Sequence, residues 1–385
     1  MQRRSKNIGT PDGVLIVAFV LLVLIGMIMV YSASIFYAEQ YFNDQFYYFK
    51  RQFVAFVIGL VMVMVLGSFR LSWLQKLAPI AIIFALTLAA YQGGVKQARW
   101  FSAGFIHFQT VDVVRFALTL YLPYYLVRSH DELKNFTEGL LPALIIIFLL
   151  TVFTVLQRDF SSSMTLFLLS ITILAAGPTQ LTHILYVTGG ILLAGFGYIK
   201  ITGHNYERIS AFLHPESDPF GNGYQILNAL FGFQRGGIAG SGFAQSRAKM
   251  FFLPEAHNDY IFAIIGEEWG LIGTLFIVFL FGVVLLRGIR IAQRQHNLYV
   301  YYLTIGILAN FMWYSVINIM VSLNMLPSTG IPLPFISYGG TALVINMALA
   351  GLLINLSRTV GKPSEPVTHF SSQEHRVFYY TRKRR

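Results

Sequence analysis

The sequence predicts an all-α integral membrane protein of about ten transmembrane helices. Two observations carry this. Of 385 residues, 55% are hydrophobic and 12% are charged, against about 25% charged in soluble domains. Apolar runs long enough for a bilayer core, which takes roughly 20 residues per helical crossing, recur along the chain. Gly13 to Ser34 carries no charge at all. That run is too long for a cleaved signal, lacks a small-residue cleavage pattern and is followed by further runs, so it reads as a retained helix.

Apolar runs between charged or Gly/Pro-marked turns place the crossings near Gly13 to Ser34, Phe53 to Ser68, Leu77 to Tyr91, Val113 to Val127, Leu140 to Leu156, Ser162 to Gly177, Ile184 to Ile199, Tyr260 to Leu286, Leu298 to Leu323 and Ala342 to Leu356. Lysine and arginine favour the cytoplasmic side of short loops. With the N-terminus inside, that side takes Arg3, Arg4, Lys6, Arg70, Lys76, Arg128, Lys134, Arg287, Arg290, Arg294 and every basic residue from Arg358 onward, most of the 28 in the chain. Both ends are then cytoplasmic: residues 1–12 precede a membrane domain over 13–358, and 359–385 form a basic tail expected to be disordered and to meet anionic headgroups or a cytoplasmic partner. The longest connection, Lys200 to Asp259, faces outward, away from cytoplasmic ATP. A connection of that length is usually functional or disordered. Its glycine density from Gly232 to Gly242 favours a folded, re-entrant segment over a linker.

The net charge of +11 sits mostly in short loops and in the tail, a pattern for lipid headgroups rather than nucleic acid. The chain has no cysteine, which removes disulfides, thiolate metal sites and a cysteine nucleophile. It shows no P-loop, dinucleotide fingerprint or HExxH pattern, so an ATP-driven pump is unsupported. Charged residues at membrane depth or its outer edge are functional candidates because lipid makes them expensive; here these are Arg99, Asp112, Arg115, Asp159, Glu255, Asp259, Glu267 and Glu268. Asp112 and Arg115, three apart, share a helix face and would pair, either as a structural anchor or as part of a site. Asp159 stands where it would cap the next helix or act directly. Glu255 and Asp259 flank His257. A carboxylate at a partly dehydrated rim beside another carboxylate suits a general base, the group that attack by a sugar hydroxyl requires, although a hydrated loop end would carry the same residues.

The segment Leu253-Pro254-Glu255-Ala256-His257-Asn258-Asp259-Tyr260-Ile261-Phe262-Ala263-Ile264-Ile265-Gly266-Glu267-Glu268 resembles the SEDS family (RodA/FtsW/SpoVE), whose pattern reads LPEAHTDFIFAxxGEE. Gly330-Ile331-Pro332-Leu333-Pro334-Phe335-Ile336-Ser337-Tyr338-Gly339-Gly340 is similar to the family's GIPLPFISYGG. Shorter matches are Tyr31-Ser32-Ala33-Ser34, Ala98-Arg99-Trp100 with Phe108-Gln109, and Gly223-Tyr224-Gln225. The matches run in family order from about Gly13 to Arg358. The first-span YSAS and the LPEAH wording lean toward the division branch over the elongation branch.

The resemblance implies a peptidoglycan glycosyltransferase that acts on lipid II at the outer face of the cytoplasmic membrane. It assigns Asp259 as the general base that deprotonates the acceptor N-acetylglucosamine 4-hydroxyl, with Asp159, Asp112, Arg115, Glu255 and His257 in support. Leaving-group diphosphate calls for basic groups, for which Arg99, Arg208 and Lys249 are nominated; Gln225 and Ser337, inside matched motifs, are further substrate contacts. A divalent cation, Mg or Mn, is the expected aid, with no organic cofactor. Expected partners are a class B penicillin-binding transpeptidase and membrane proteins of the divisome or elongasome. Three departures bear on geometry: QPSExxK becomes Gln109-Thr110-Val111-Asp112-Val113-Val114-Arg115, QPDxGT becomes Gln157-Arg158-Asp159-Phe160-Ser161-Ser162, and the threonine before the presumed base is Asn258. A lipid II flippase or a non-catalytic scaffold for the transpeptidase would share the many-helix pattern, and both stay open at this level.

Overall fold

The structure is a computed structural model that describes residues 9–103, 106–202, 206–219, 221, 223–253 and 256–360. Of the expected cytoplasmic tail, residues 361–385 lie outside the described residues. Each of the ten apolar runs falls on a helix: α1 Gly13–Phe42, α2 Tyr47–Ser68, α3 Leu71–Ala90, α4 Thr110–Arg128, α5 Leu141–Leu156, α6 Phe160–Ala175, α7 Leu181–Thr202, α10 Ile261–Gln293, α11 Leu298–Ser322 and α12 Gly340–Ser357. Among the described residues, eight segments are long and apolar enough to cross a membrane; α6 and the stretch Leu181–Ile191 are shorter apolar helices.

Several helix ends differ from the sequence reading: α3 starts at Leu71 rather than Leu77 and α10 runs to Gln293 rather than Leu286. α1 runs past Ser34 to Phe42 and α2 starts at Tyr47 rather than Phe53. The apolar run stops where lipid would stop, but the helices continue because their ends pack on each other: Phe42 stacks on Tyr47 at 3.7 Å and Tyr31 on Phe46 at 5.1 Å. Asn43 closes α1 in the left-handed conformation (φ 51°), which asparagine tolerates better than most residues.

α11 lies at the centre, packing on α10, α4, α6 and α12, while α2 lies along α12. One core gathers α1, α10, α11 and α12 around Phe19, Phe311 and Phe335; the other gathers α4, α5 and α6 around Leu118, Leu122 and Leu166. Large apolar side chains left outside, such as Val57 and Met64 on α2, Ile80 and Ile83 on α3 and Phe279 on α10, form the rim expected of a chain whose solvent is lipid. Polar side chains tie the helices at the Arg287 end. Asn355 Nδ2 donates to the Leu66 and Phe69 carbonyls, each at 2.8 Å, and Asp12 pairs with Arg287 at 2.6 Å.

The connection from Lys200 to Asp259 is largely helical among its described residues. It holds α8 Tyr206–Leu213, α9 Tyr224–Gly236 and single turns at Pro215–Ser217 and Ala248–Phe252. A hairpin of β1 Trp100–Ala103 and β2 Ile106–Gln109, with Trp100 opposite Gln109, joins α3 to α4 and adds a small sheet to the helical fold.

α10 is broken at Gly270, which has φ 66° and ψ −162°. A break there strips the Glu267 and Glu268 carbonyls, and the Leu271 and Ile272 amides, of their intrahelical partners. The segment 237–242 replaces them. Leu271 N–H donates to the Gly237 carbonyl at 2.9 Å and Ile272 N–H to Ile238 at 3.3 Å, while Ser241 and Gly242 N–H donate to Glu267 and Glu268 at 2.9 and 3.1 Å. Unsatisfied backbone groups cost several kcal/mol in hydrocarbon, roughly the scale of a whole domain's stability, so the break persists only because it is filled. Gly236 and Gly240 permit the approach: a Cβ on either would collide with the Gly266 or Glu268 carbonyl.

Candidate active site

Asp259 occupies the turn that precedes α10, and α11 and the Gly330–Gly340 loop close on that turn. Asn318 Nδ2, near the end of α11, donates to the Asp259 carbonyl and to that of Ile331, each at 2.8 Å. Tyr338 N–H donates to the His257 carbonyl at 2.9 Å. Gly330, at φ 72°, comes so close that a Cβ there would stand 3.4 Å from Asp259 Oδ2. The two long sequence motifs therefore meet in space, with the carboxylate of one against the backbone of the other and half-buried.

Ser337, expected at substrate, is buried and accepts from Leu333 N–H at 2.8 Å, while its carbonyl accepts from Gln52 Nε2 at 3.2 Å. Its hydroxyl shapes the loop that faces Asp259. His257 is buried among the rings of Tyr48 (4.3 Å), Tyr338 (5.5 Å) and Tyr37 (5.8 Å). Burial pushes its pKa down to about 4, so the ring is neutral near pH 7 and places no positive charge beside the base. Glu255, expected to flank it, lies outside the described residues.

A second polar group sits around the start of α4. Arg115 Nε donates to Asp112 Oδ1 at 2.9 Å, confirming the pair that the spacing predicts. Its Nη1 donates to Asn310 Oδ1 and Asn346 Oδ1 at 2.8 and 2.9 Å, and its guanidinium lies 4.6 Å from the Tyr314 ring centroid. Both ions are buried, and such a pair is stable only with further hydrogen bonds of this kind. Asp159 caps α6 by accepting from Ser162 N–H at 3.2 Å, and Gln109 Nε2 reaches its other oxygen at 3.5 Å. Arg99, exposed at the foot of the hairpin, donates to the Arg158 carbonyl, so Arg99, Gln109 and Asp159 form one cluster. Tyr314 lies within electrostatic reach of Arg115, Asp112 and Asp159. Asn310, Tyr314 and Asn318 recur every fourth residue along α11 and so share a face, which runs from the Arg115 cluster to the Asp259 backbone. Sequence reasoning missed this stripe, although its spacing was readable.

Arg208 on α8 is exposed and donates to the Ser328 carbonyl at 3.3 Å, on the loop that leads to Gly330. Tyr260 feels both Asp259 and Arg208, which places this cation at the Asp259 cluster. Gln225 lies half-buried on the first turn of α9. Lys249 departs from the expectation. It is buried, and its ammonium donates to Glu268 Oε1 at 2.6 Å and Ser32 Oγ at 2.9 Å. A buried ammonium needs a counter-ion; the carboxylate at Glu268 supplies it, so Lys249 does not present a diphosphate contact in this structure. Among the described residues there is no group of three or more His, Asp or Glu that would hold a metal ion.

The profile of the cell cycle protein family FtsW/RodA/SpoVE matches residues 13–362. The chain belongs to this family. It is 35% identical over 358 residues to stage V sporulation protein E of Bacillus subtilis, covering 91% of this chain and 97% of that one. It is 33% identical over 368 residues to the probable peptidoglycan glycosyltransferase FtsW of Geobacter sulfurreducens, covering 93% and 98%. The fold matches a chain of a peptidoglycan synthase complex with a TM-score of 0.73 at 22% identity, over 90% of this chain and 98% of that one. It also matches the rod shape determining protein RodA of Thermus thermophilus with a TM-score of 0.67 at 20% identity, over 92% and 98%. The SEDS resemblance and the multi-pass reading both stand: this is an integral protein of the bacterial inner membrane.

Proposed function

We propose that the chain is a peptidoglycan glycosyltransferase that polymerises lipid II into glycan strands, with Asp259 as general base. The observation that carries this reading is one half-buried carboxylate set against Gly330, on a residue whose backbone carbonyl is held by Asn318 of α11. Catalysis gains most from groups held in place before substrate arrives.

Asp259 takes the proton from the 4-hydroxyl of the acceptor N-acetylglucosamine. That oxygen forms a bond to C1 of the donor N-acetylmuramic acid from the face opposite the diphosphate. The C1–O bond breaks, undecaprenyl diphosphate leaves with the electron pair, and C1 inverts. Arg208 and Arg99, exposed cations at the two polar clusters, attract the diphosphate and offset the charge that develops on it. A neutral His257 keeps the base free of a competing imidazolium. Mg or Mn would draw most of its oxygen ligands from the diphosphate, because the described protein residues offer no dense carboxylate cluster. The site faces the outer side of the membrane, where basic residues are scarcer, and a class B penicillin-binding transpeptidase partner crosslinks the product.

Purified chain, with and without such a transpeptidase, is given fluorescent lipid II and the glycan ladder is read on a gel. Wild type is expected to polymerise; Asp259→Ala and Asp259→Asn to lose roughly 100-fold or more, the scale of general-base catalysis; Asp159→Ala to lose less. Normal ladders from both Asp259 variants would remove it as the base. Lipid II translocation without any ladder from the partnered wild type would favour a flippase.

A further inference from the structure

We infer that the buried Lys249–Glu268 pair is a positioning clamp for Asp259, which deepens the proposed glycosyl transfer and rests on that reading. Asp259 lies on the stretch between the turn Ala248–Phe252 and the first turns of α10. Both ends of that stretch are fastened to the same place. On one side stand Glu267 and Glu268, 0% and 1% exposed. On the other, the chain from Ser246 to Lys249 folds back onto them: Arg247 and Ala248 N–H donate to Glu267 at 2.9 and 3.1 Å, Ser246 Oγ donates to Glu267, and Ser246 N–H reaches Glu268 at 3.4 Å. Lys249 then closes on Glu268 at 2.6 Å, and Ser32 of α1 joins both partners, its hydroxyl 2.7 Å from Glu268 Oε1. The two ends of the Asp259 loop and the helix α1 are thus locked at one charged knot.

The knot reaches the reacting atoms only through the backbone. Neither Lys249 nor Glu268 points to open space, since both side chains are 0% exposed. Their effect is on where the loop between them holds Asp259, with its carboxylate against Gly330 and its backbone carbonyl on the Asn318 amide. Releasing one end lets Asp259 drift from those contacts, and a misplacement of about 1 Å costs on the order of 100-fold in rate. Substrate affinity is set at other groups and should change little.

The test uses the full chain, whose lack of cysteine allows clean labelling. Spin labels on Met250→Cys and Met325→Cys, both exposed, report the distance between the loop and the end of α11 by pulsed electron resonance. The backgrounds are wild type, Glu268→Gln, Lys249→Met and the double Lys249→Met/Glu268→Gln. Each single variant buries an unmatched partner. Glu268→Gln is expected to broaden the distance distribution and to lower kcat about 100-fold with KM for lipid II within about 3-fold. Lys249→Met moves both readouts in the same direction. The double variant, which buries no charge, narrows the distribution again and recovers most of kcat.

Singles that keep both a narrow distribution and a full rate overturn the clamp. So does a broadened distribution at full rate, which would make the pair structural only. A double variant as slow as Lys249→Met overturns it as well, since a lysine needed at the diphosphate behaves that way. Wild type without any glycan product removes the functional reading and the positioning role with it, while the distances still decide whether the pair anchors the loop.

Discussion

The two ends of the helix bundle are built differently. At the Arg287 end, short connections are closed by a few simple ties: Asp12 to Arg287, Asn355 to the Leu66 and Phe69 carbonyls, and Arg358 to the Gly67 carbonyl at 3.3 Å. Toward the Asp259 end lies most of the left-handed backbone of the described residues, at Asn43, Gln97, Arg158, Gly237, Gly240, Gly242, Ala244, Asn324 and Gly330, while Gly270 and Phe335 lie deeper in the bundle. Non-glycine residues in that region carry a strain of about 1–3 kcal/mol each, and such strain persists where surrounding structure enforces it, commonly at functional sites. One end of the molecule is optimised to close and the other to hold particular groups in unfavourable poses.

The largest break in that contrast is expected at Arg115. Arg115→Met leaves Asp112 buried with its counter-charge gone, at a cost of roughly 3–5 kcal/mol, and thermal unfolding in detergent followed by tryptophan fluorescence should show it. Arg115→Met with Asp112→Leu should recover much of the loss. Next is His257. Its pKa of about 4 in the folded chain, against 6.5 unconstrained, means that acid adds a proton to the unfolded chain before the folded one. Stability is therefore intact above pH 6.5 and falls as pH drops from 6.5 toward 4, by about 3 kcal/mol for this group. His257→Phe should flatten that part of the profile relative to wild type.

Gly236→Ala sharpens the comparison at the α10 break. Its new methyl meets the Gly266 carbonyl, and overpacking of this kind costs about 1–3 kcal/mol; faster hydrogen exchange at Leu271 and Ile272 is the expected local signature. The smallest effect belongs to the opposite end. Arg287→Ala removes a partly exposed ion pair worth about 1 kcal/mol or less, and glycan synthesis should stay within about twofold of wild type. A larger loss of activity there would mean that the two ends are not separable as described.

What the sequence made legible follows from range. The ten apolar helices were readable because a bilayer writes its thickness into runs of apolar residues, and Asp259 was a candidate because the motifs around it are contiguous. Asp112 and Arg115 pair three residues apart, within one helix turn. Lys249 was misjudged because its partner stands nineteen residues on, across a fold-back that no local pattern announces. The repair of α10 was hidden for the same reason, since its bonds join backbone groups whose side chains carry no signal. Other features left traces that went unread. Ile226, Ala229 and Phe233 mark one face of α9, and Gly232 and Gly236 on α9 face Ala263 and Gly266 on α10, small residues at the spacing that lets membrane helices approach closely. The aromatic pairs that extend α1 and α2 past the apolar boundary lie in Tyr31–Phe49, a stretch rich in tyrosine and phenylalanine.

The filled break at Gly270 also bears on how the chain is made. A helix that enters the bilayer with four backbone groups unmet would be held back at the translocation machinery or pulled into a wrong pairing. Residues 237–242, which meet those groups, precede Gly270 in the chain and leave the ribosome first. Their order lets the plug wait for the gap, so α10 can insert and be completed in one motion by a neighbour already present. A circular permutation that moved the segment behind α10 would keep every bond of the finished fold and lose that timing.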